Sequence, residues 1–245
     1  MSASLIHFVR RAALRLRPFL IPFADFLFPP VCMVCDAPGG DVRRRVCESC
    51  LSSIAGVSVA DKAYRRACAR LAAGGAIEDL IVPWYFDKHG PLQVLIHQLK
   101  YGGMTSIGEE LGERLAASVI RHPALGADAI VPVPLHRAKL RERGYNQSAC
   151  IARGIASATG LRISENLLVR SRFTPSQTTL GVPQRRTNMP GAFAVPPGQR
   201  REVGGRCLLL VDDVITTGAT MHACAEALKN AGARRITACA LALAP

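Results

Sequence analysis

Two acids stand side by side at Asp212 and Asp213, directly behind the apolar run Leu208-Leu209-Leu210-Val211. A row of small residues, Thr216-Thr217-Gly218-Ala219-Thr220, follows within one turn. Adjacent carboxylates accept hydrogen bonds from sugar hydroxyls. A loop that turns into a helix offers the opposite chemistry, because its first backbone N–H groups and the positive end of the helix dipole seat a phosphate. Gly218 lets the backbone approach closely, and the threonine hydroxyls add donors. Acids and loop together suit a ribose 5-phosphate, with hydroxyls on the aspartates and phosphate in the loop. A strand end with N-capping threonines accounts for Thr216 or Thr217 but leaves the consecutive acids unexplained. A Walker A loop is excluded, since no GK[ST] follows, and the GxGxxG dinucleotide fingerprint is missing too.

A second constellation is Cys32-Met-Val-Cys35 and Cys47-Glu-Ser-Cys50, two CxxC pairs with eleven residues between them. Each pair can form a knuckle presenting two thiolates, and two knuckles close a tetrahedral sulfur shell around zinc. Pro29-Pro30 and Gly39-Gly40 supply the turns. Structural zinc is the expected occupant, with an iron–sulfur cluster or a metal-free site as alternatives. Four thiolates leave no open position for water, so catalysis at this metal is not expected. Such a module can bind nucleic acid or brace a neighbour, and it depends on metal for its folding. The other five cysteines are scattered; Cys207, Cys224 and Cys239 read as buried small hydrophobes. Nine cysteines in this pattern fit a reducing, cytoplasmic setting better than a disulfide framework.

The elements that must position the acids read as an α/β body from about Leu80 onward. Strands are expected at Leu80 to Phe86, Ala127 to Pro132, Cys207 to Val211 and Ile236 to Leu243, with weaker ones at Leu167 to Val169 and Ala192 to Val195. Helices are expected at Pro91 to Lys100, Ile107 to His122, Asn146 to Thr159 and Ala219 to Asn230, with Pro91 opening the first and Gly160 stopping the third. Strand–helix alternation argues a parallel sheet with helices on both faces. The strand Cys207 to Val211 then delivers the two aspartates to its carboxyl end, where such sheets bind ligands. Arg172 to Pro190 reads as a long loop, of a length that is often functional. The expected organisation is an amphipathic helix over 1–28, a zinc-ribbon module over 29–55, a linker over 56–78 and the α/β domain over 79–245.

The chain of 245 residues is 49% apolar, enough for one sizeable core and a small appendage. Its net charge of +13 favours phosphorylated or polyanionic partners. The excess is concentrated: Arg137 to Arg206 holds thirteen basic and three acidic residues. Ser4 to Phe28 places Leu5, Phe8, Val9, Ala12, Leu16 and Phe19 on one helical face, with arginines largely off it. That helix packs on its own protein or, as the lesser alternative, lies on a membrane surface. Asp25 and Pro22 argue against a signal peptide.

VDDVITTGAT resembles the phosphoribosyl diphosphate (PRPP) binding motif of type I phosphoribosyltransferases. CMVC…CESC, LIHQLKYGG at Leu95 to Gly103 and VPVPLHRAKLRERGYNQS at Val131 to Ser148 narrow the resemblance to the competence protein F (ComF) family. Gln177, Arg186-Thr187-Asn188 and Gly191-Ala192-Phe193 extend it, and coverage runs from Phe28 to Leu243. The resemblance implies a type I phosphoribosyltransferase fold behind a zinc ribbon. It implies that Asp212 and Asp213 hold the ribose hydroxyls of PRPP, and that Thr216, Thr217, Gly218, Ala219 and Thr220 hold its 5-phosphate. The turn after Val131 would hold pyrophosphate, with Arg137, Lys139, Arg141 and Arg143 nearby for pyrophosphate or DNA. Mg²⁺ would accompany PRPP, and Arg172 to Pro190 would close as a hood.

The reaction so implied is displacement of pyrophosphate by a nitrogen nucleophile at the anomeric carbon. No general base stands out; His136 is a candidate by position, with a surface or supporting role the plainer reading. Lys100 and Tyr101 can face the site, although a helix-end lysine favoured by the dipole explains Lys100 more simply. The resemblance implies a second role without turnover, as an accessory of single-stranded DNA uptake in transformation, with a helicase-like translocase as partner. A PRPP-sensing regulator is a third.

Overall fold

The computed structural model describes residues 31–38, 44–122, 126–170 and 191–244. The amphipathic helix expected over 1–28 and the loop expected over 172–190 lie outside these residues. Two compact units divide the chain, Met1–Leu51 and Ser52–Pro245.

In the first unit, Val31 and Pro38 form an antiparallel bridge around the first CxxC pair. The knuckle closes through Cys32 N–H to the Ala37 carbonyl at 2.8 Å and Asp36 N–H to the Cys32 carbonyl at 2.9 Å, with Asp36 at φ 56°. The second pair opens the short helix α1 (Glu48–Ser52).

The second unit is built on a parallel sheet. Strands β1 (Asp79–Ile81) and β2 (Trp84–Tyr85) pair with different stretches of the same edge of β7 (Arg235–Leu243). From β7 the order continues to β6 (Cys207–Ile215) and β3 (Ala129–Pro132). The single strand expected over Leu80 to Phe86 is thus two short ones, interrupted at Val82-Pro83. Proline has no N–H for the ladder, which explains the break. Strand β6 is longer than expected and runs through both aspartates to Ile215, pairing Asp212 with Ala240 and Val214 with Ala242. A separate antiparallel pair joins β4 (Val169–Arg170) to β5 (Phe193–Ala194).

Helices cover both faces of the sheet. On one face lie α2 (Lys62–Ala72) and α8 (Ala219–Asn230), whose Leu71, Met221 and Leu228 form one core with Leu208, Leu210, Ala238 and Ala240. Residues 56–78, expected as a linker, therefore contain a helix of the body. Leu209, Ile130, Cys239 and Leu241 are fully buried too, and the two-residue strand period turns them to the opposite face. There α6 (Gln147–Thr159) packs on the sheet and against α4 (Thr105–Arg121).

Glycines bring α4 and α6 into near-backbone contact. A Cβ at Gly154 would lie 2.0 Å from the Glu109 carbonyl oxygen, and one at Gly112 would lie 2.2 Å from that of Ile151. Before α4 comes α3 (Pro91–Tyr101), opened by Pro91 as expected. Between β3 and α6 lies α5 (Arg137–Arg143), where the sequence suggested only a turn. A short helix, α7 (Arg200–Val203), precedes β6.

Candidate active site and metal centre

The carboxyl end of β6 carries the acids because small partners stand beside them. Ala240 and Ala242 of β7 leave room next to Asp212 and Val214. Both aspartates are buried, at 9% and 5% exposure. Asp212 Oδ1 accepts from Ser148 Oγ and from the Asp213 backbone N–H, each at 2.9 Å. Asp213 Oδ1 accepts from the Val214 N–H at 2.9 Å, and its Oδ2 faces Lys100 Nζ at 2.5 Å. Burial pushes the Asp212 carboxyl up to about 7, reinforced by the neighbouring Asp213 charge. The Asp213 N–H, the Ser148 hydroxyl and the Lys100 charge oppose the shift without cancelling it. Burial pulls the Lys100 ammonium down, yet the Asp213 carboxylate more than offsets this and holds it above its ordinary value.

The loop that follows is shaped by Gly218, at φ 78°, a conformation that favours glycine. The Ala219 N–H points to Thr217 Oγ1 at 3.4 Å, and α8 begins there. Thr216 is exposed, Thr217, Ala219 and Thr220 are half-buried, and Gly218 is buried. Two residues of α2 brace the loop. Arg70 donates to the Thr216 carbonyl at 2.9 Å, and Leu71 lies so close that its Cδ2 would meet a Cβ at position 218 at 2.7 Å. A phosphate seat at this helix start would thus have a fixed backbone.

The β3 turn stands beside the acids, since the Val133 N–H donates to the Val211 carbonyl at 2.9 Å and Asn146 Nδ2 to the Val133 carbonyl at 3.0 Å. His136 Nδ1 accepts from the Ala138 N–H at 3.2 Å and caps α5, a supporting role. The four cations of α5 do not act as one row. Lys139 and Arg143, one helical turn apart, line a cleft of about 200 Å³ with Lys100, Tyr101 and Tyr145. Arg137 faces a different, larger cavity of about 560 Å³ with Arg153 and Arg170. Arg141 is exposed and lines neither. The Arg143 guanidinium lies 5.5 Å from the Tyr101 ring centroid, and the His97 ring meets the same ring at a tilt of 48° with centroids 5.0 Å apart.

In the N-terminal unit, Cys32, Cys35, Cys47 and Cys50 bring their sulfurs within 4.8 Å of one another. The Cys35 and Cys47 sulfurs are 3.8 Å apart. A tetrahedron with metal–sulfur bonds of about 2.3 Å has an edge of about 3.8 Å. The donor set and spacing therefore suit a metal ion in a closed four-thiolate shell. Burial pushes the Cys32 thiol up, but N–H donors at Cys47, Val34 and Cys35 outweigh it and hold the group at about 6. Cys47 N–H approaches Cys32 Sγ, and Cys50 N–H approaches Cys47 Sγ, both at 3.4 Å.

The Phosphoribosyl transferase domain family matches residues 159–245. DNA utilization protein YhgH of Escherichia coli O157:H7 is 32% identical over 154 residues, covering 61% of this chain and 66% of that protein. Competence protein F of Haemophilus influenzae is 31% identical over 158 residues, covering 63% of this chain and 69% of that protein. The chain belongs to the competence protein F family. Among solved structures, glutamine PRPP amidotransferase from B. subtilis, complexed with ADP and GMP, is similar at 20% identity and a TM-score of 0.39; the match covers 59% of this chain and 30% of that one. The architecture of this ComF-family chain is a parallel-sheet phosphoribosyltransferase fold behind a four-cysteine module of zinc-ribbon type. Among its described residues, no helix is long and apolar enough to cross a membrane.

Within this ComF-family chain, Lys100 does both things the sequence offers for it: it stands in the last turn of α3 and reaches Asp213 of the acid pair. Its helix was legible, but which partner lay beyond the helix end was not. Arg70 and Leu71 escaped sequence reasoning altogether. The signal was present in the apolar spacing Tyr64, Ala67, Cys68, Leu71, which matches one face of a helix.

Proposed function

We propose that the chain binds PRPP at the end of β6 and transfers its phosphoribosyl group to a nitrogen acceptor. The observation that carries this reading is the buried Asp212–Asp213 pair beside a braced loop at the start of a twelve-residue helix. Asp212 and Asp213 accept hydrogen bonds from the ribose 2- and 3-hydroxyls. Thr216 to Thr220 surround the 5-phosphate with backbone and hydroxyl donors. Lys139 and Arg143 stabilise charge on the departing pyrophosphate, a role supported by their sharing a cleft with Lys100. The bond from the anomeric carbon to the pyrophosphate oxygen breaks, a bond to the acceptor nitrogen forms, and the nitrogen's proton passes to the released pyrophosphate or to water. Mg²⁺ would supply charge neutralisation for the pyrophosphate, held chiefly by the ligand and water. The carboxylates of Asp212 and Asp213 are oxygen donors of the hardness this ion prefers. Zinc is the proposed occupant of the Cys32, Cys35, Cys47 and Cys50 cluster, and a reducing cytoplasm the proposed setting.

A second reading, a non-catalytic accessory role in single-stranded DNA uptake with a helicase-like translocase, draws on the names of the competence and DNA utilization relatives. One specific observation favours contact with single strands. Tyr101, 64% exposed, stands with His97 and the cationic Arg143, and bases stack on such aromatic surfaces.

The deciding experiment titrates zinc-loaded protein with PRPP and Mg²⁺ and then screens nitrogen acceptors for pyrophosphate release. PRPP binding abolished by Thr217→Trp, with zinc content unchanged, and release with at least one acceptor are expected. No PRPP binding by the wild type would refute the transferase reading. Binding without release would leave an accessory or sensing role. DNA affinity that falls steeply with salt and persists in Asp212→Asn/Asp213→Asn would support the accessory role.

A further inference from the structure

Two buried carboxylates at the carboxyl end of β6 are hard oxygen donors of the kind that draw divalent cations. The geometry at Asp213 works against a free ion. Its Oδ1 already accepts from the Val214 N–H, and its Oδ2 is held by Lys100 Nζ at 2.5 Å. The Lys100 side chain is 27% exposed and that of Asp213 only 7%, so the pair is poorly screened by solvent.

Lys100 is also presented rigidly. It sits in the last turn of α3, whose Leu92, Leu95 and Leu99 are fully buried. The Tyr145 hydroxyl donates to the Leu99 carbonyl at 2.5 Å. The chain then leaves the helix through Gly102 and through Gly103 at φ 72°. A helix C-terminus favours a cation at this place.

We propose that Lys100 is a built-in counter-ion of the aspartate pair that bars free divalent cations, so that a metal enters only on an anionic ligand. The barrier to free metal stands on the geometry of Lys100 and Asp213 alone. The entry of metal with a ligand rests on the PRPP reading above. A ribose hydroxyl is neutral and can donate to either carboxylate without expelling the ammonium. A dication next to the same oxygens must meet the ammonium charge directly, and only an accompanying polyanion compensates that repulsion. Lys139 and Arg143 share the Lys100 cleft with a single acid, Glu142, so the lining that such a polyanion would meet carries three cations against one anion.

The test uses the full, zinc-loaded chain and Mn²⁺ alone, followed by electron paramagnetic resonance. Wild type is expected to take up no Mn²⁺ at the acid pair at millimolar concentration. Lys100→Met is expected to bind one Mn²⁺ per chain at least ~100-fold more tightly, because a unit charge beside the site has been removed. Adding Asp213→Asn to that variant should abolish the binding. Mn²⁺ bound by the wild type and lost in Asp213→Asn would overturn the proposal, and this arm decides the matter even if Lys100→Met fails to fold. A folded Lys100→Met that binds no more Mn²⁺ than the wild type would overturn it as well. Adding PRPP to the wild type is then expected to bring Mn²⁺ in. PRPP that does not bind would refute the PRPP reading and the ligand-borne entry resting on it, while the metal-alone result stands. PRPP that binds without recruiting Mn²⁺ would overturn ligand-borne entry.

Discussion

Replacing Asp212 by asparagine removes a charge that burial disfavours while leaving an oxygen to accept from Ser148 Oγ and the Asp213 N–H. A carboxyl raised from 3.8 to about 7 by folding is more readily protonated in the native state than in the unfolded one. Its contribution to stability is therefore fully present below the unfolded value and is lost as pH rises through the folded one. That shift corresponds to about 4 kcal/mol in total, more than half of which falls between pH 5 and pH 8. This is a substantial part of the 5–15 kcal/mol typical of whole domains. The assay is urea unfolding of zinc-loaded wild type and Asp212→Asn at pH 5, 6, 7 and 8. The variant should gain on the wild type by roughly 2–3 kcal/mol across that range and be clearly the more stable at pH 8. Its affinity for a sugar phosphate should fall. Unfolding free energies that run parallel with pH in the two proteins would refute the assignment of a raised, buried carboxyl to Asp212.

Three further outcomes follow from the packing around the site. Gly154→Ala pushes a methyl into the Glu109 carbonyl at the α4–α6 contact and should cost about 1–3 kcal/mol, read as a lowered midpoint in urea. Arg70→Ala removes the donor to the Thr216 carbonyl; PRPP affinity measured by calorimetry should drop about 3- to 30-fold, with zinc content and unfolding midpoint nearly unchanged. Removing metal with a chelator should expose the four clustered thiols to alkylation, detected by mass spectrometry, while buried Cys224 and Cys239 remain protected.

The parts of the site that were legible in the sequence are those built from contiguous residues. Strand, acids, turn and helix start all lie between Cys207 and Asn230, so a short reading captures their order and chemistry. The CxxC pairs are legible for the same reason, because a metal knuckle is local. The limits of β6 were less so: ladder pairing with Ala240 and Ala242 carries the strand past the acids, and only the partner strand reveals that. Helix α5 buries no residue at all, so RAKLRER has no apolar periodicity to announce it. The approach of Lys100 to Asp213 depends on how α3 packs against the sheet, which no local pattern encodes. The pairing of Lys139 with Arg143, and the separation of Arg137 from both, follow once α5 is known to be helical.

Helix α2 sets a boundary for any dissection of this molecule. The segment recognised by family similarity starts at residue 159, and the sequence alone would place the domain border at 79. Yet Leu71 covers Gly218, and Arg70 ties down Thr216 from a helix that begins at Lys62. A fragment cut at either border keeps every residue of the VDDVITTGAT signature and loses the buttress behind it. Such a fragment would carry the recognisable motif on a loose loop, and swapping this motif between relatives would transplant its letters without its stiffness. The transferable unit is the loop together with residues 62–72.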